Sequence, residues 1–481
     1  MKKTLNILFA TAEVTPFSKA GGLADVAGAL PAALTKMDCN VTIITPLYAS
    51  VDRIKYNLFT PEYSDHLQLG DEKYSFAFYR YKEEYVTTIF VANDYFYSRT
   101  GIYTTSDGEG YSDNNARYFF FQKAILAGIE KQLLTPDLLH VNDHHTSLLP
   151  WMLKNRKLKI PTLLTIHNSM YQGQFSEDDA QLLDTIDSDS LELNSLNKNS
   201  LDIGSQFSDA VNTVSKTYRD ELVNIQKLSY GLHGTIQKIQ NRFSGILNGA
   251  DYEYWNPEKD EFIAEKYSVD SISKKQKNKH RLLEVIGLPL DIDKPLFGSI
   301  SRQVESKGFF LILDIMEELI QLDCRFVFLG TGDVRIMGKL KSMAEKYPNH
   351  VAVVQEYNEP LAHQIEAGAD MFLMPSEYEP CGLNQIYSLK YGTIPIVRKT
   401  GGLADTVIDW DGHSGNGFVF NEYNSTELLN GIKRALAVYS TKSWNTVIQN
   451  AMAADFSWDQ SAKQYKYLYN TIITGGIHES A

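Results

Sequence analysis

Two segments of the chain share nearly the same seven residues, KAGGLAD at residues 19–25 and KTGGLAD at residues 399–405. Each stands between a strand-like apolar run and a helical pattern. Glycines at such a junction let backbone amides approach a ligand closely, and a helix N-terminus favours an anion. Lys19 would add a full positive charge to the first loop. One such loop reads equally well as an ordinary strand-to-helix turn. Two of them, one in each half, point to two sheets that face one cleft.

Other residues with usable chemistry also fall at strand ends. PLFGSISRQVESKG (Pro295–Gly308) sets Arg302 and Lys307 after a strand-like run and before a helical one. Two cations there can neutralise the charge that grows on a departing diphosphate, although a pair of surface cations would read the same. PSEYEPCGLNQ (Pro375–Gln385) opens a helix at Gly382–Leu383. Glu379, just before it, can accept hydrogen bonds from sugar hydroxyls or balance positive character at an anomeric carbon. A carboxylate placed only to suit the helix dipole would look no different. Cys381, with no histidine nearby in sequence, reads as a packing residue. Two histidine-bearing segments, HVNDHHT (His140–Thr146) and TIHNSMYQGQF (Thr165–Phe175), offer His, Asn and Asp to a polyhydroxyl ligand. A metal site is the rival reading. Neither segment has a cysteine or an HExxH pairing to support it.

The elements that must position these residues alternate along the chain. Strand-like runs fall at Leu5–Phe9, Val41–Thr45, Thr88–Ala92, Leu138–Val141, Thr162–Ile166 and Ala210–Val214. The second half repeats the scheme at Leu296–Ile300, Arg325–Leu329, Val351–Val354, Met371–Met374 and Ile394–Val397. Amphipathic stretches such as Phe309–Leu322 and Leu383–Lys390 lie between them. The pattern is that of an α/β protein with two parallel sheets covered by helices, and ligands then bind beyond the carboxyl ends of strands. A domain boundary is expected near Asn248–Lys259. The polar stretch Ser188–Gln206 reads as a surface excursion, and the charge run Ser273–Arg281 as a solvated helix face.

Composition narrows the function. Of 481 residues, 43% are hydrophobic and 22% charged, and 46 Lys+Arg stand against 59 Asp+Glu for a formal charge of −13. So acidic a chain does not hold nucleic acid or an anionic membrane through a general field, and an anionic substrate must meet a local cluster of cations and amides. Three scattered cysteines argue against a disulfide framework and fit a reducing compartment. The opening MKKTLNILFATAE imitates a signal peptide only faintly, since its apolar run is short and ends at Glu13 without a cleavage-like site. A cytoplasmic enzyme is expected. Nothing in the sequence points to a protein partner.

Taken together, the segments KAGGLADVAGALP, TGIYTTSDGEGYSDNNARYFFF, HVNDHHT, TIHNSMYQGQF, GILNGADYEYWNP, SRQVESKG, LGTGD, EPCGLNQIYSLKYGTIPIVRKTGGLADTV and DFSWDQSAKQY resemble bacterial glycogen and plant starch synthases, in family order and over nearly the whole chain. The resemblance implies the glycosyltransferase B fold, two Rossmann-like domains facing an interdomain cleft. It would divide the chain into residues 1–250, 251–456 and a returning helix at 457–481. It implies transfer of glucose from ADP-glucose to the non-reducing 4-hydroxyl of an α-1,4-glucan, with retention of configuration. Donor-binding positions would be Lys19, Gly22, Arg302, Lys307, Thr400 and Gly401, with Arg302 and Lys307 on the diphosphate. His167 and Asn168 match positions lining the sugar pocket. Asp143 and Asp25 belong near it, and Asn248 matches the crossing strand. Glu379 is the key acidic residue, the Cys381, Gly382 and Leu383 turn completes the donor motif, and Tyr357 would stack on the base.

Related transferases often carry two glutamates with seven residues between them, and here the second position is Tyr387. A covalent, paired-carboxylate route is therefore poorly supported. No cofactor and no metal are expected, because Lys19, Arg302, Lys307 and the loop amides supply positive charge. The Asp-x-Asp pairs Asp187/Asp189, Asp291/Asp293 and Asp409/Asp411 read as hydrated turns. Departures from the family pattern are Ala20 where Thr is usual, Gln303 where Leu is commoner, and YNE (Tyr357–Glu359) for YDE. The rivals are a same-fold transferase with a small acceptor, a catalytically dead glucan binder, and a Rossmann dehydrogenase. For the last, the fragment Gly330-Thr-Gly332 lacks the rest of the fingerprint.

Overall fold

The structure, a computed structural model, describes residues 4–105, 108–183 and 196–476. The chain forms two compact units. Unit 1 comprises Met1–Val214, Arg219–Gly249 and Trp458–Ala481, and unit 2 comprises Ser215–Tyr218 and Ala250–Ser457.

Unit 1 is built on β1 (Leu5–Ala10), β2 (Cys39–Pro46), β3 (Tyr63–Leu69), β4 (Glu72–Glu83), β5 (Val86–Ala92), β6 (Leu138–Asn142), β7 (Thr162–Ile166), β8 (Ala210–Thr213) and β9 (Phe243–Gly245), in the order β3-β4-β5-β2-β1-β6-β7-β8-β9. From β5 to β9 every pairing is parallel, with Leu5 opposite Cys39 and Ile7 opposite Leu138. The expected all-parallel sheet needs one correction, since β4 runs antiparallel to both β3 and β5. The reason is local. β3 and β4 are joined by the two-residue turn at Gly70, which has φ +60, and a connection that short can only make a hairpin. The central strands β6, β7 and β8 are buried along their whole length, which is why they read as continuous apolar runs. One face of the sheet is covered by the helices Gly22–Thr35 and Trp458–Ile473, whose Val26, Leu30, Tyr465 and Tyr469 join a core with Ile7, Phe9 and Leu163.

Unit 2 holds β10 (Leu296–Ile300), β11 (Arg325–Leu329), β12 (Val351–Val354), β13 (Met371–Met374), β14 (Ile394–Arg398) and β15 (Phe418–Phe420), in the order β12-β11-β10-β13-β14-β15 and parallel throughout. The helix Phe309–Gln321 buries Phe309, Ile312, Met316 and Leu319 against Phe326 and Phe328.

Two further readings are corrected. The charge run at 273–281 is not simply a solvated face. Lys275 and Lys279 are four residues apart on the helix Lys275–Ile286 and share the inward side with Leu282 and Leu283. Lys275 Nζ donates to the carbonyls of Glu366 (3.1 Å) and Ala367 (2.8 Å) and to the Thr393 hydroxyl (2.6 Å), and burial draws its pKa down to about 7. Lys279 pairs with Asp370 at 2.6 Å. The polar stretch 188–206 is described only from residue 196, and there it becomes the helix Ser200–Phe207, with Leu201, Asp202 and Ile203 buried. Asn199 caps that helix by accepting from the Asp202 amide, so its polarity serves an internal hydrogen bond rather than solvent. No helix among the described residues is long and apolar enough to cross a membrane.

Candidate active site

In unit 2 the strand order reverses between β10 and β13, and ligands of open α/β sheets sit beyond the carboxyl ends of strands at such a point. After β10 the chain passes Arg302, which is exposed, and closes in a 3-10 turn at Glu305–Lys307. After β13 comes Glu379, 6% exposed. The two loops meet: Lys307 Nζ lies 2.5 Å from Glu379 Oε2, which also accepts from the Ser376 hydroxyl at 3.1 Å. Gly308 permits the approach, since its φ is +77 and a Cβ there would fall 2.1 Å from the Pro375 carbonyl oxygen.

The second glycine loop docks on the same segment. Thr400 is buried at the start of the helix Gly401–Thr406, and the Gly402 amide donates to the Glu379 carbonyl at 3.0 Å. A Cβ on Gly401 would stand 1.9 Å from the Glu379 carbonyl oxygen, and one on Gly402 would stand 2.0 Å from that of Cys381. These glycines therefore exist so that two backbones can touch. Cys381 is a buried packing residue, and its carbonyl accepts from the Gln385 amide at 3.0 Å. Gly382 turns with φ +70, so the following helix begins at Asn384, with Leu383 as its cap, rather than at Gly382. Tyr387 lies flat on Trp255 at 4.2 Å and 6°, and Trp255 stacks in turn on His363 at 3.8 Å.

The neighbouring strands explain two motifs. Gly330 and Gly332 press on the carbonyls of Ser301 and Gln303, where added Cβ atoms would lie 2.0 and 2.4 Å away. The GTG fragment is thus a packing device beside the Arg302 loop. Gln303 is fully buried, and neither of its side-chain amide atoms has a hydrogen-bond partner. Tyr357 is 78% exposed beyond β12, two strands from β10, and precedes Asn358, which caps the helix Glu359–Gly368.

In unit 1 the order reverses between β1 and β6. β6 is followed by Asp143, held at φ +52, whose Oδ1 accepts from the His167 amide at 2.7 Å. Burial pushes the Asp143 carboxyl up to about 7, opposed by the amides of His167 and Asn168. Burial also draws the His167 imidazole down to about 3, so it is neutral. Asn142 Nδ2 donates to the Ala10 carbonyl at 3.0 Å, which leaves Oδ1 to accept from His167 Nε2 at 2.9 Å. That fixes the ring with its proton on Nε2 and its lone pair on Nδ1. Asn168 accepts from the Met170 amide, and Asn248 is buried beyond β8 with its Oδ1 unpartnered.

The first glycine loop corrects an expectation. Its Ala20 and Gly21 amides do not stand open to a ligand. Both donate to Glu13 Oε2, the second at 2.9 Å. Lys19 pairs with Asp25 at 2.7 Å, and a Cβ on Gly22 would meet nothing within 4 Å. Asn142 belongs to the HVNDHHT segment read as polar lining, whereas Glu13 and Tyr103, which hydrogen-bonds Glu13, border the loop without having been singled out by the sequence. The available signal was a single carboxylate inside the apolar run LFATAEVTPF.

Of the Asp-x-Asp pairs, Asp187/Asp189 lies outside the described residues. Asp409 is not a hydrated turn: it pairs with Arg434 and accepts from the Val419 amide at 2.7 Å. Asp411 accepts from the His413 and Ser414 amides, at 2.9 and 2.7 Å. Among the described residues no group of three or more His, Cys, Asp or Glu could hold a metal ion.

Comparison with known proteins places this geometry. Residues 6–238 match the family described as starch synthase catalytic domain, and residues 284–452 match glycosyl transferases group 1. The glycogen synthase of Thermotoga maritima is 41% identical over 492 residues, covering 98% of this chain and 99% of its own. That of Bacillus anthracis is 37% identical, covering 98% and 100%. Among solved structures, the catalytic domain of starch synthase IV from Arabidopsis thaliana, bound to ADP and acarbose, superposes with a TM-score of 0.88 at 30% identity, covering 98% of this chain and 99% of that one. A sucrose-phosphate synthase from Thermosynechococcus elongatus shares the fold, with a TM-score of 0.61 at 17% identity over 98% of this chain and 100% of its own. On sequence, fold and coverage alike, the chain belongs to the glycogen synthase family, retaining glycosyltransferases of the two-domain glycosyltransferase B fold.

Proposed function

We propose that this family member lengthens α-1,4-glucan chains, taking glucose from ADP-glucose and adding it to the non-reducing 4-hydroxyl with retention, in the cytoplasm. The observation that carries the reading is the pair of half-buried Lys307 with buried Glu379, set where the strand order of unit 2 reverses. Arg302 and Lys307 hold the diphosphate and stabilise the charge it gains on leaving. Thr400 and Gly401 line the donor side through the loop they shape, whose Thr400 and Gly402 amides donate to the carbonyls of Arg398 (2.9 Å) and Glu379 (3.0 Å), and Tyr357 offers a ring face to the base. Glu379, with the Cys381, Gly382 and Leu383 turn behind it, faces the sugar. In unit 1, His167, Asn168 and Asp143 serve the sugar side, with Asp25 and Asn248, while Lys19 and Gly22 serve the donor.

The route follows from what is missing beside Glu379. A double displacement needs a second carboxylate, and the position that carries one in related transferases is Tyr387, committed to its stack on Trp255. The reaction then proceeds on one face of the sugar. The bond from the anomeric carbon to the diphosphate oxygen breaks, and the bond to the acceptor's 4-oxygen forms. The acceptor's proton passes to the departing phosphate. Exclusion of water strengthens every charge interaction in such a step.

The test is incorporation of radiolabelled glucose into glycogen from ADP-glucose and UDP-glucose in parallel, with EDTA-treated protein. Faster incorporation from ADP-glucose, undiminished by EDTA, is expected. Turnover of either donor only with a small acceptor, or a requirement for restored Mn²⁺ or Mg²⁺, would overturn the reading.

A further inference from the structure

The first glycine loop has almost nothing of its own with which to hold a shape. Ala20, Gly21 and Gly22 bring one methyl group among them, and Gly21 caps the helix Gly22–Thr35 without a side-chain hydrogen bond. What holds it comes from eight residues earlier. Glu13 is 3% exposed, and its Oε2 accepts from the Ala20 and Gly21 amides. Its Oε1 lies 3.6 Å from where a Cβ on Gly21 would be. The Tyr103 hydroxyl, on a ring stacked over His145 at 4.9 Å, also bonds to the Glu13 carboxyl. The Val14 amide and carbonyl pair with Ser18, closing the turn between Glu13 and the loop.

We propose that Glu13 is a positioning residue for glucosyl transfer: its carboxylate fills the amide pair of the first glycine loop, so this loop presents Lys19 to the donor rather than a phosphate cradle. A serine or aspartate at residue 21 would cap the same helix with no buried charge. It would also place a side chain on the loop. Holding the amides through Glu13 leaves the loop bare at Gly22, where an added Cβ finds open space. Burial of a carboxylate is unfavourable unless hydrogen bonds compensate, and here both amides and a phenol do so. The division of labour is then definite. The anion-binding capacity of this helix start is spent on an internal carboxylate, and Lys19, paired with Asp25 at 2.7 Å, is its remaining cation for a phosphate.

The inference rests on the nucleotide-sugar reading above, and the experiment separates the two. Glu13→Ala removes the carboxylate with its methylene and leaves a space large enough to admit formate. The expected result is a folded protein whose kcat/KM for ADP-glucose falls at least about tenfold, mainly through the donor KM, the scale of one lost charge-assisted hydrogen-bonding group. The KM for glycogen should not change. Formate should restore most of the loss in Glu13→Ala and do nothing to the parent, and chloride should not substitute for it. Glu13→Gln keeps the volume and one acceptor oxygen and should fall between the two, which preserves the test if Glu13→Ala folds poorly. Parental donor kinetics in either folded variant, or a loss that formate does not repair, would overturn the role of Glu13. Failure of the nucleotide-sugar reading would appear separately, as an inactive parent.

Discussion

In the loop at residues 19–25 the amides of Ala20 and Gly21 close on the Glu13 carboxylate, while in the loop at residues 399–405 Gly401 and Gly402 lie against the carbonyls of Glu379 and Cys381. Six of the seven residues are shared. The last of them diverges in use as well: Asp25 holds Lys19, whereas Asp405 accepts from the amide (3.0 Å) and hydroxyl (2.6 Å) of Thr217. The carboxylates nearby differ most. Glu13 is satisfied by amides and a phenol, and Glu379 by the Lys307 ammonium. A repeated motif therefore fixes a backbone shape, and the residue that meets it from outside decides its task.

The largest effects should separate the surroundings of the two carboxylates by rate. Lys307→Ala and Arg302→Ala should each lower kcat at least about a hundredfold, the scale for losing one transition-state electrostatic partner. Glu379→Gln should fold normally and lose most turnover. Lys19→Ala, whose ammonium is already shared with Asp25, should cost only about tenfold and mainly in donor KM. Equal kcat losses at Lys19 and Lys307 in steady-state assays would erase the distinction.

Next come the glycines. Gly402→Ala drives a methyl to 2.0 Å from a backbone oxygen that cannot swing aside. Overpacking on that scale should cost about 3 kcal/mol or more and depress the melting temperature sharply. Gly22→Ala meets open space in a first helical turn and should stabilise by about 0.5–1 kcal/mol. If Gly22→Ala then binds donor poorly despite the higher melting temperature, the bare loop is a functional requirement rather than a structural one.

Acid should also divide the units. Burial draws His144 down to about 4 and His167 to about 3, and holds His140 and His145 well below the ordinary imidazole value. The unfolded chain takes up these protons near pH 6.5 and the folded chain does not, so stability present above that pH is lost as pH falls below it. Asp143 works the other way, because its folded carboxyl keeps a proton up to about 7 and its contribution fades as pH rises from about 4 to 7. Four imidazoles should outweigh it. Unit 2 has Glu366, raised to about 8 by burial, which favours the folded state at low pH. Hydrogen exchange at pH 5 against pH 7.5 should therefore show lost protection in β6 and β7 before β13 and β14. Simultaneous loss would contradict this account.

The effect smallest on turnover concerns Gln303. Replacing a buried amide that lacks partners with an isosteric apolar group should stabilise by about 1–2 kcal/mol. Gln303→Leu should thus raise the melting temperature while leaving kcat within about twofold, because the side chain takes no part in the hydrogen bonds of the Lys307–Glu379 pair.

Much of the fold was legible because parallel strands buried on both faces are continuous apolar runs. Leu296–Ile300, Arg325–Leu329 and Val351–Val354 match their strands residue for residue. β4, with the sequence EKYSFAFYRYKE, was not legible in that way, since it lies near an edge and mixes charge with apolar residues. β15 has only three residues. Lys275 and Lys279 depart from a solvated face because the charge of a run does not show which of its lysines share a helix side with Leu282 and Leu283. At the site, residue types and strand ends could be read, but pairing could not. Glu13 reaches across seven residues to the amides it fills, and no local pattern records that reach.

The helix Trp458–Ile473 carries one more consequence. Its Tyr469 hydroxyl bonds His140 at 2.8 Å and its Tyr465 hydroxyl accepts from Asn212 at 3.1 Å, both on strands of unit 1. Yet a ribosome makes this helix only after all of Ala250–Ser457. At roughly 5–20 residues per second, the nascent sheet waits on the order of 10–40 s with β6 and β8 uncovered on that face. Unit 2 has its whole sequence by then and can fold ahead of the unit that was begun first. A chain cut short before Trp458 would keep an intact second unit and expose apolar surface on the first, a ready signal for chaperones and proteases.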